Sequence, residues 1–167
     1  MVKSSTVTIR DIPAGVTSVS GPLNVHAETV TIETDTRFEL VDITDRIRPI
    51  VQQSGIAEGT AVLQSLHTTC SVLINEAQTA LVADIKHFLE HVVDRDADWL
   101  HNDPAHSDCD RFNADAHLRA LLLGQTVTVQ VTGGDLLLGQ WQRLLVAELD
   151  GPRARSIRVQ VMGIGQA

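Results

Sequence analysis

Lysine is scarce in this chain of 167 residues, where only Lys3 and Lys86 occur. An anionic ligand would therefore have to be met mainly by arginine, backbone amides or a metal ion. A formal net charge of minus 8 leaves no basic footprint for releasing counterions from a phosphate backbone, which excludes nucleic acid as an expected partner. Cysteine is limited to Cys70 and Cys109, without Cys-x-x-Cys spacing. That removes a disulfide framework and points to a reducing compartment. No apolar run approaches bilayer length, and Met1-Val2-Lys3-Ser4-Ser5 is not followed by the apolar core of a signal peptide. The expectation is a cytoplasmic protein with no membrane partner. The chain also has no Gly-x-x-x-x-Gly-Lys loop, no Gly-x-Gly-x-x-Gly after a strand and no Gly-x-Ser-x-Gly elbow, so the usual nucleotide and serine-hydrolase readings fall away.

What is present suits one domain, since 43% hydrophobic content at this length is enough for a core. Residues 1–27 are set apart by Pro13, Gly15, Gly21 and Pro22 as an N-terminal extension, in which Thr6-Val7-Thr8-Ile9 alternates like an added edge strand. A single globular domain is expected over 28–167. Its first elements read as a hairpin, from the β-branched run Thr29–Thr34 and from Phe38-Glu39-Leu40-Val41. A helix over 45–53 follows, with Thr44 as its cap and Gly55 as its stop. Residues 62–66 and 71–74 read as strands. The apolar spacing of Leu81, Val82, Ile85, Phe88, Leu89 and Val92 predicts a helix over 76–93. Residues 94–113 form a polar, Asp-rich loop of a length more often functional than decorative. A short helix over 115–123 and strands near 126–131, 135–138, 143–149 and 155–161 complete the chain, with Gly133-Gly134 turning the first pair. Strands before, between and after the helices, without a βαβ rhythm, argue for an α+β fold.

Three histidines could carry chemistry: His67 at a strand end, His101 in the Asp-rich loop and His117 in the first turn of a helix. Neutral imidazoles from three elements can converge on a metal and leave a fourth position for water or substrate. They can equally be a hydrogen-bonded core histidine, a solvated loop residue and a helix-start residue. Asp103 can orient an imidazole, accept a proton, or form a turn before Pro104. Glu148, in the apolar run Leu144–Leu149, faces solvent by alternation or lines a site as base or ligand. Glu76 is placed for helix N-terminal charge or for supporting a site. Arg153 and Arg155 can clamp a phosphate as bidentate donors or pair with carboxylates. His87-Phe88-Leu89-Glu90-His91 spells the His-x-x-Glu-His of the inverted zinc proteases, but the helical wheel turns that pair to water.

The segments His67-Thr68-Thr69, Asn75-Glu76, His101-Asn102-Asp103, Ala116-His117, Gly139-Gln140-Trp141-Gln142 and Glu148-Leu149-Asp150-Gly151-Pro152-Arg153 resemble the YjbQ-like family, whose members are described as secondary thiamine-phosphate synthases. The resemblance spans roughly 28–163. The family's C-terminal pattern is matched by Val129, Val131, Gly134, Gly139, Trp141, Gln142 and Leu144, with Thr126 for its Ser and Gln140 for its Thr. It implies a mixed β-sheet closing into a barrel-like core with helices packed outside, assembled as a homotrimer. It also implies a divalent metal, zinc by preference, on His67, His101 and His117. Asp103, Glu148 and Glu76 become the expected catalytic residues, and Asn75, Gln142, Arg153 and Arg155 the substrate-binding ones. The implied activity joins hydroxymethylpyrimidine diphosphate to hydroxyethylthiazole phosphate, so the expected partner is a small phosphorylated metabolite. A metal-dependent hydrolase of phosphate or ester substrates, or a metal- or metabolite-binding trimer without catalysis, remain the alternatives.

Overall fold

The structure is a computed structural model that describes residues 18–165. The alternating stretch Thr6–Ile9 lies outside them. The first strand, β1 (Leu23–Glu33), begins before the boundary expected at residue 28. Its period-2 pattern buries Val30 and Ile32 and leaves Thr29, Thr31 and Glu33 exposed. β2 (Glu39–Asp42) does not pair with it, so the expected hairpin is not formed. β1 pairs instead with β8 (Ala154–Gly165), and β2 with β7 (Arg143–Glu148). Two runs close in sequence can enter different sheets when each has a more apolar neighbour elsewhere.

The larger sheet has the order β1-β8-β3-β5-β6, with β3 (Ile56–Ser65), β5 (Thr126–Thr132) and β6 (Asp135–Leu136). The smaller has the order β2-β7-β4, with β4 (Cys70–Asn75). Every strand pairing among the described residues is antiparallel. The fold is α+β, as expected, and the large sheet curls as half a barrel. Its main core lies between the two sheets and α1 (Thr44–Gln53), and includes Ile32, Ile47, Val51, Leu63, Val72, Leu144 and Val159. Gly59 and Gly163 face each other across β3 and β8. A Cβ on Gly59 would overlap the Met162 carbonyl oxygen, and one on Gly163 that of Glu58.

The second core lies on the other face of the small sheet, where Leu89 of α2 (Thr79–Val92) and Ala116 and Ala120 of α3 (Ala114–Leu123) meet Phe38, Ala147 and Leu149. β7 is thus covered on both faces and buried at every residue, which is why its sequence is an apolar run rather than an alternation. Helix α1 begins one residue earlier than expected. Asp42 accepts the Thr44 amide at 2.9 Å, while the Thr44 hydroxyl accepts the Leu144 amide at 2.8 Å. α2 starts at Thr79 rather than Glu76, with the Gln78 side chain accepting the Leu81 amide. Of its apolar stripe only Leu89 is buried, and Phe88 and Val92 are exposed. His87, Glu90 and His91 face water, as the wheel predicts. No helix of the described residues is long and apolar enough to cross a membrane.

Candidate functional site

The C-terminal end of β7 projects Glu148 into the sandwich, where it is fully buried. Arg155, the second residue of β8 and 1% exposed, grips it with two nitrogens, Nε lying 2.6 Å from Oε2. Thr34 Oγ1 donates to the same Oε2 at 3.0 Å, the Asp150 amide donates to Oε1 at 2.8 Å, and an Arg155 terminal nitrogen reaches Thr69 Oγ1 at 3.1 Å. A buried pair is tolerated only when its remaining hydrogen-bond capacity is filled. Here it is, and both groups are occupied inside the chain.

One turn further on, Asp150 is fully buried and surrounded by cations. Arg111 Nε and Asn113 Nδ2 donate to its Oδ2 at 2.9 and 2.8 Å. Arg37 lies 3.2 Å from Oδ1 and Arg153 3.5 Å from Oδ2. Burial alone would raise the Asp150 pKa, but the hydrogen bonds from Arg111 and Asn113, with the charges of Arg111 and Arg37, outweigh it and hold the carboxyl below its ordinary value. Phe112, between the two hydrogen-bonding residues, takes φ 50°. A bulky residue held left-handed costs roughly 1–3 kcal/mol, and here the conformation accompanies both flanking side chains reaching one oxygen. Arg37, Arg111 and Arg153 are respectively 31%, 47% and 32% exposed. Arg111 and Arg153 keep N–H donors beyond those used on Asp150, whereas Arg37 also donates to the buried Asp115 Oδ1 at 3.2 Å.

The imidazoles sit beside this cluster. His101, in a short 3₁₀ turn (Leu100–Asn102), and His117 of α3 meet edge to face with ring centroids 5.0 Å apart. With Trp99, Leu100, Ala114 and Leu118 they line a mostly apolar pocket of about 270 Å³. Burial lowers the His117 pKa, and the neighbouring His101 adds to this against Asp150 and Asp115. His67, in the β3–β4 turn, accepts the Ser156 amide at Nε2, 2.8 Å away. Burial, then the charges of Arg155 and Arg153, lower its pKa against the pull of Glu148. Among the described residues no three His, Cys, Asp or Glu side chains are grouped as a metal would require.

The other expected residues lie elsewhere. Asp103 is paired with His106 rather than His101, Oδ2 to Nδ1 at 2.8 Å. The Ala105 amide first, and then His106, hold its carboxyl below the ordinary value. Asn75 accepts the Glu76 amide through Oδ1, and Gln142 Oε1 accepts the Gly139 amide at 2.7 Å, closing the turn before β7. Within the small sheet Cys70 pairs with Glu148 and Asn75 with Arg143. Asn75, Glu76 and Gln142 therefore stand at the far end of the sheet from Glu148, about 17 Å along the strand. Arg153 belongs to the cation cluster, whereas Arg155 is committed to Glu148. Arg37, Arg111, Asn113 and Asp150 were missed by sequence reasoning. The available signal was Asp150 itself, a carboxylate set between the buried end of an apolar strand and Gly151-Pro152.

The chain matches the family described as UPF0047 protein YjbQ-like over residues 28–164. It is 42% identical to a UPF0047 protein of Methanothermobacter thermautotrophicus over 84% of this chain and 94% of that one. It is 33% identical to the UPF0047 protein YugU of Bacillus subtilis over 81% and 98%. Among solved structures, a YbjQ-like protein of unknown function from Sulfolobus solfataricus superposes with a TM-score of 0.79 at 35% identity, covering 84% of this chain and 99% of that one. A hypothetical protein from Aeropyrum pernix gives 0.76 at 33%, over 83% and 98%. The sequence match over most of the chain and the shared fold agree, and the chain belongs to the YjbQ-like UPF0047 family.

Proposed function

We propose that the cluster around Asp150 binds the phosphate or diphosphate group of a small metabolite, and that the protein is a thiamine-phosphate-synthase-like transferase. The observation that carries this is the gathering of three part-exposed guanidiniums around the buried Asp150, one of them, Arg37, shared with the buried Asp115, in a chain of net charge minus 8. Such a cluster leaves donors of the part-exposed Arg111 and Arg153 available to an anion, which is what a leaving diphosphate needs. In the proposed reaction the thiazole nitrogen attacks the pyrimidine methylene. The C–N bond forms as the C–O bond breaks, and diphosphate leaves with the electron pair. Arg37, Arg111 and Arg153 stabilise that charge, while the pocket beside His101 and His117 takes the organic part of the ligand. The buried Glu148–Arg155 pair fixes the turn that carries Arg153.

The resemblance also implies a divalent ion, and the donor set within one chain does not fit a three-histidine site. His67 has its Nε2 engaged by the Ser156 amide, and His101 with His117 supplies only two ligands of the four that zinc usually takes. In the homotrimer that the resemblance implies, Asn75, Glu76 and Gln142 would enter the site from a neighbouring chain.

The test is calorimetric titration with diphosphate, followed by assay for thiamine phosphate from the two precursors with and without divalent ions. Arg111→Ala and Arg153→Ala should each weaken diphosphate binding about 10-fold or more, the worth of one charge-assisted hydrogen bond. No diphosphate binding overturns the anion site. Binding without thiamine phosphate overturns the transferase, and phosphate release without a second substrate makes the protein a hydrolase.

A further inference from the structure

Where the Glu148–Arg155 pair has its hydrogen-bond capacity filled, a second buried pair does not. Asp115 is fully buried and Arg119 4% exposed, one helical turn apart on α3. Arg119 Nη2 donates to the Val93 carbonyl at 2.8 Å, and Arg37 Nη2 donates to Asp115 Oδ1 at 3.2 Å. Asp115 Oδ2 lies 2.9 Å from Arg119 Nη1, in a geometry that makes no hydrogen bond. That oxygen and Arg119 Nε are thus a buried acceptor and a buried donor without a hydrogen-bond partner among the described residues. Each such atom costs about 1–3 kcal/mol, which folded proteins bear rarely. Both residues line a pocket of about 290 Å³. Phe38, 8% exposed, completes the buried part of its wall, with Lys86 Nζ and Arg119 Cζ at 5.3 and 5.5 Å from its ring centroid. Glu90, Asp94 and Arg95, all exposed, form the outer part. The pocket shares no lining residue with the one beside His101 and His117, because α3 turns Asp115 and Arg119 to one space and Ala114, His117 and Leu118 to the other.

We propose that this pocket is a second binding site, for a free α-amino acid. Its wall carries both signs of charge in one small space, so an ion of a single sign meets repulsion as well as attraction, whereas a zwitterion matches both. The ligand's carboxylate is met by Arg95 and by the unpaired Nε–H of Arg119, and its ammonium by Glu90, Asp94 and the unpaired Oδ2 of Asp115. The Phe38 ring supplies apolar contact for the ligand's carbon atoms. The volume stands at the lower end of the roughly 300–1,000 Å³ that ligand pockets occupy, which suits a molecule of amino-acid size. Arg37 also lines this pocket, and its other terminal nitrogen lies 3.2 Å from Asp150 Oδ1. The amino-acid site does not rest on the anion site around Asp150, and the two can fail separately.

The experiment is calorimetric titration of the full-length protein with the common L-amino acids, one at a time. The best binder is then compared with its amine, which lacks the carboxylate, and with its carboxylic acid, which lacks the amino group. The expected result is an amino acid that binds about 10-fold or more tightly than either. Arg95→Ala and Asp94→Asn should each weaken that binding about 10-fold. The Asn variant keeps the Oδ1 that accepts the Asp96 amide at 2.9 Å, so the loop is preserved. Arg111→Ala, a change at the Asp150 cluster, should leave amino-acid binding as it was. Binding of no amino acid at about 10 mM overturns the proposal, and so does an amine or acid that binds as tightly as the amino acid. Binding that survives in Arg95→Ala and Asp94→Asn but is lost in Arg111→Ala moves the ligand to the Asp150 cluster and overturns it as well.

Discussion

Arg111 reaches Asp150 from a loop that reads as solvated and acidic, and it does so beside the one non-glycine residue with positive φ among those described, Phe112. Removing Asp150 strips Arg111 and Asn113 of a shared acceptor and Arg37 of one of its two carboxylate counter-charges. Asp150→Ala should therefore cost about 2–3 kcal/mol of stability, discounted because the arginines are part-exposed, measured by urea denaturation. A cost below ~0.5 kcal/mol would show that the cluster contributes little to folding. The pH dependence follows from the same groups. The Asp150 pKa is lowered in the fold, so its contribution is full above the unfolded value near 3.9 and is lost as pH falls through the lower folded value. His67 and His117 are also lowered. Their unfolded forms take up protons first as pH drops below about 6.5, so stability declines from there downward. Melting temperature should fall between about pH 7.5 and 5.5, and fall less in a His67→Gln, His117→Gln double variant. An unchanged slope would remove these two residues from the effect.

The elements were largely legible because their periodicities are physical. Ile47, Ile50 and Val51 share a helical face and are buried together, and Val30 and Ile32 alternate as a half-buried strand must. The pairing was not legible. Phe38–Val41 looks like the return of a hairpin only because it follows β1 in the chain, whereas its real partner β7 is a hundred residues away. The site was half legible for the same reason: His101 and His117 are adjacent in space, but nothing in their spacing reveals that His67 has its acceptor nitrogen spent on β8. Nor does it reveal that Asn75 and Gln142 occupy the opposite end of a sheet. Two substitutions probe the elements. Ile47→Ala should lose 2–5 kcal/mol from the main core. Gly59→Ala, which forces a Cβ onto the Met162 carbonyl, should lose at least ~3 kcal/mol, the upper part of the usual range. Thermal denaturation that ranks Gly59→Ala with a surface change would mean the β3–β8 crossing has slack.

At the scale of the molecule, Leu121 and Leu122 of α3 are 77% and 58% exposed, and Phe88, Val92, Leu100 and Phe112 also face outward. Apolar surface of this kind supports self-association. Light scattering should give three times the 18.1 kDa of one chain, and a monomeric mass at micromolar concentration would remove the trimer. On the proposal that Glu76 completes the anion site of a neighbouring chain, co-refolding an Arg153→Ala protein with a Glu76→Ala protein should restore a fraction of any thiamine-phosphate synthase rate that each variant loses alone. Co-refolded mixtures as inactive as their parents would confine each site to one chain. Only arginines within one such site are asked to neutralise the ligand, so diphosphate affinity should fall several-fold as ionic strength rises from about 0.05 to 0.5 M.

The Glu148–Arg155 clasp constrains descent as well as folding. Because each partner is sealed inside the sandwich, losing either alone strands a charge at a cost of about 3–5 kcal/mol, a large part of a domain's whole stability. Arg111, on a loop and half in water, carries no such penalty. Drift in this chain is therefore freer at a residue proposed to meet the ligand than at the two buried partners of the clasp, and replacement of the clasp has to be a paired event.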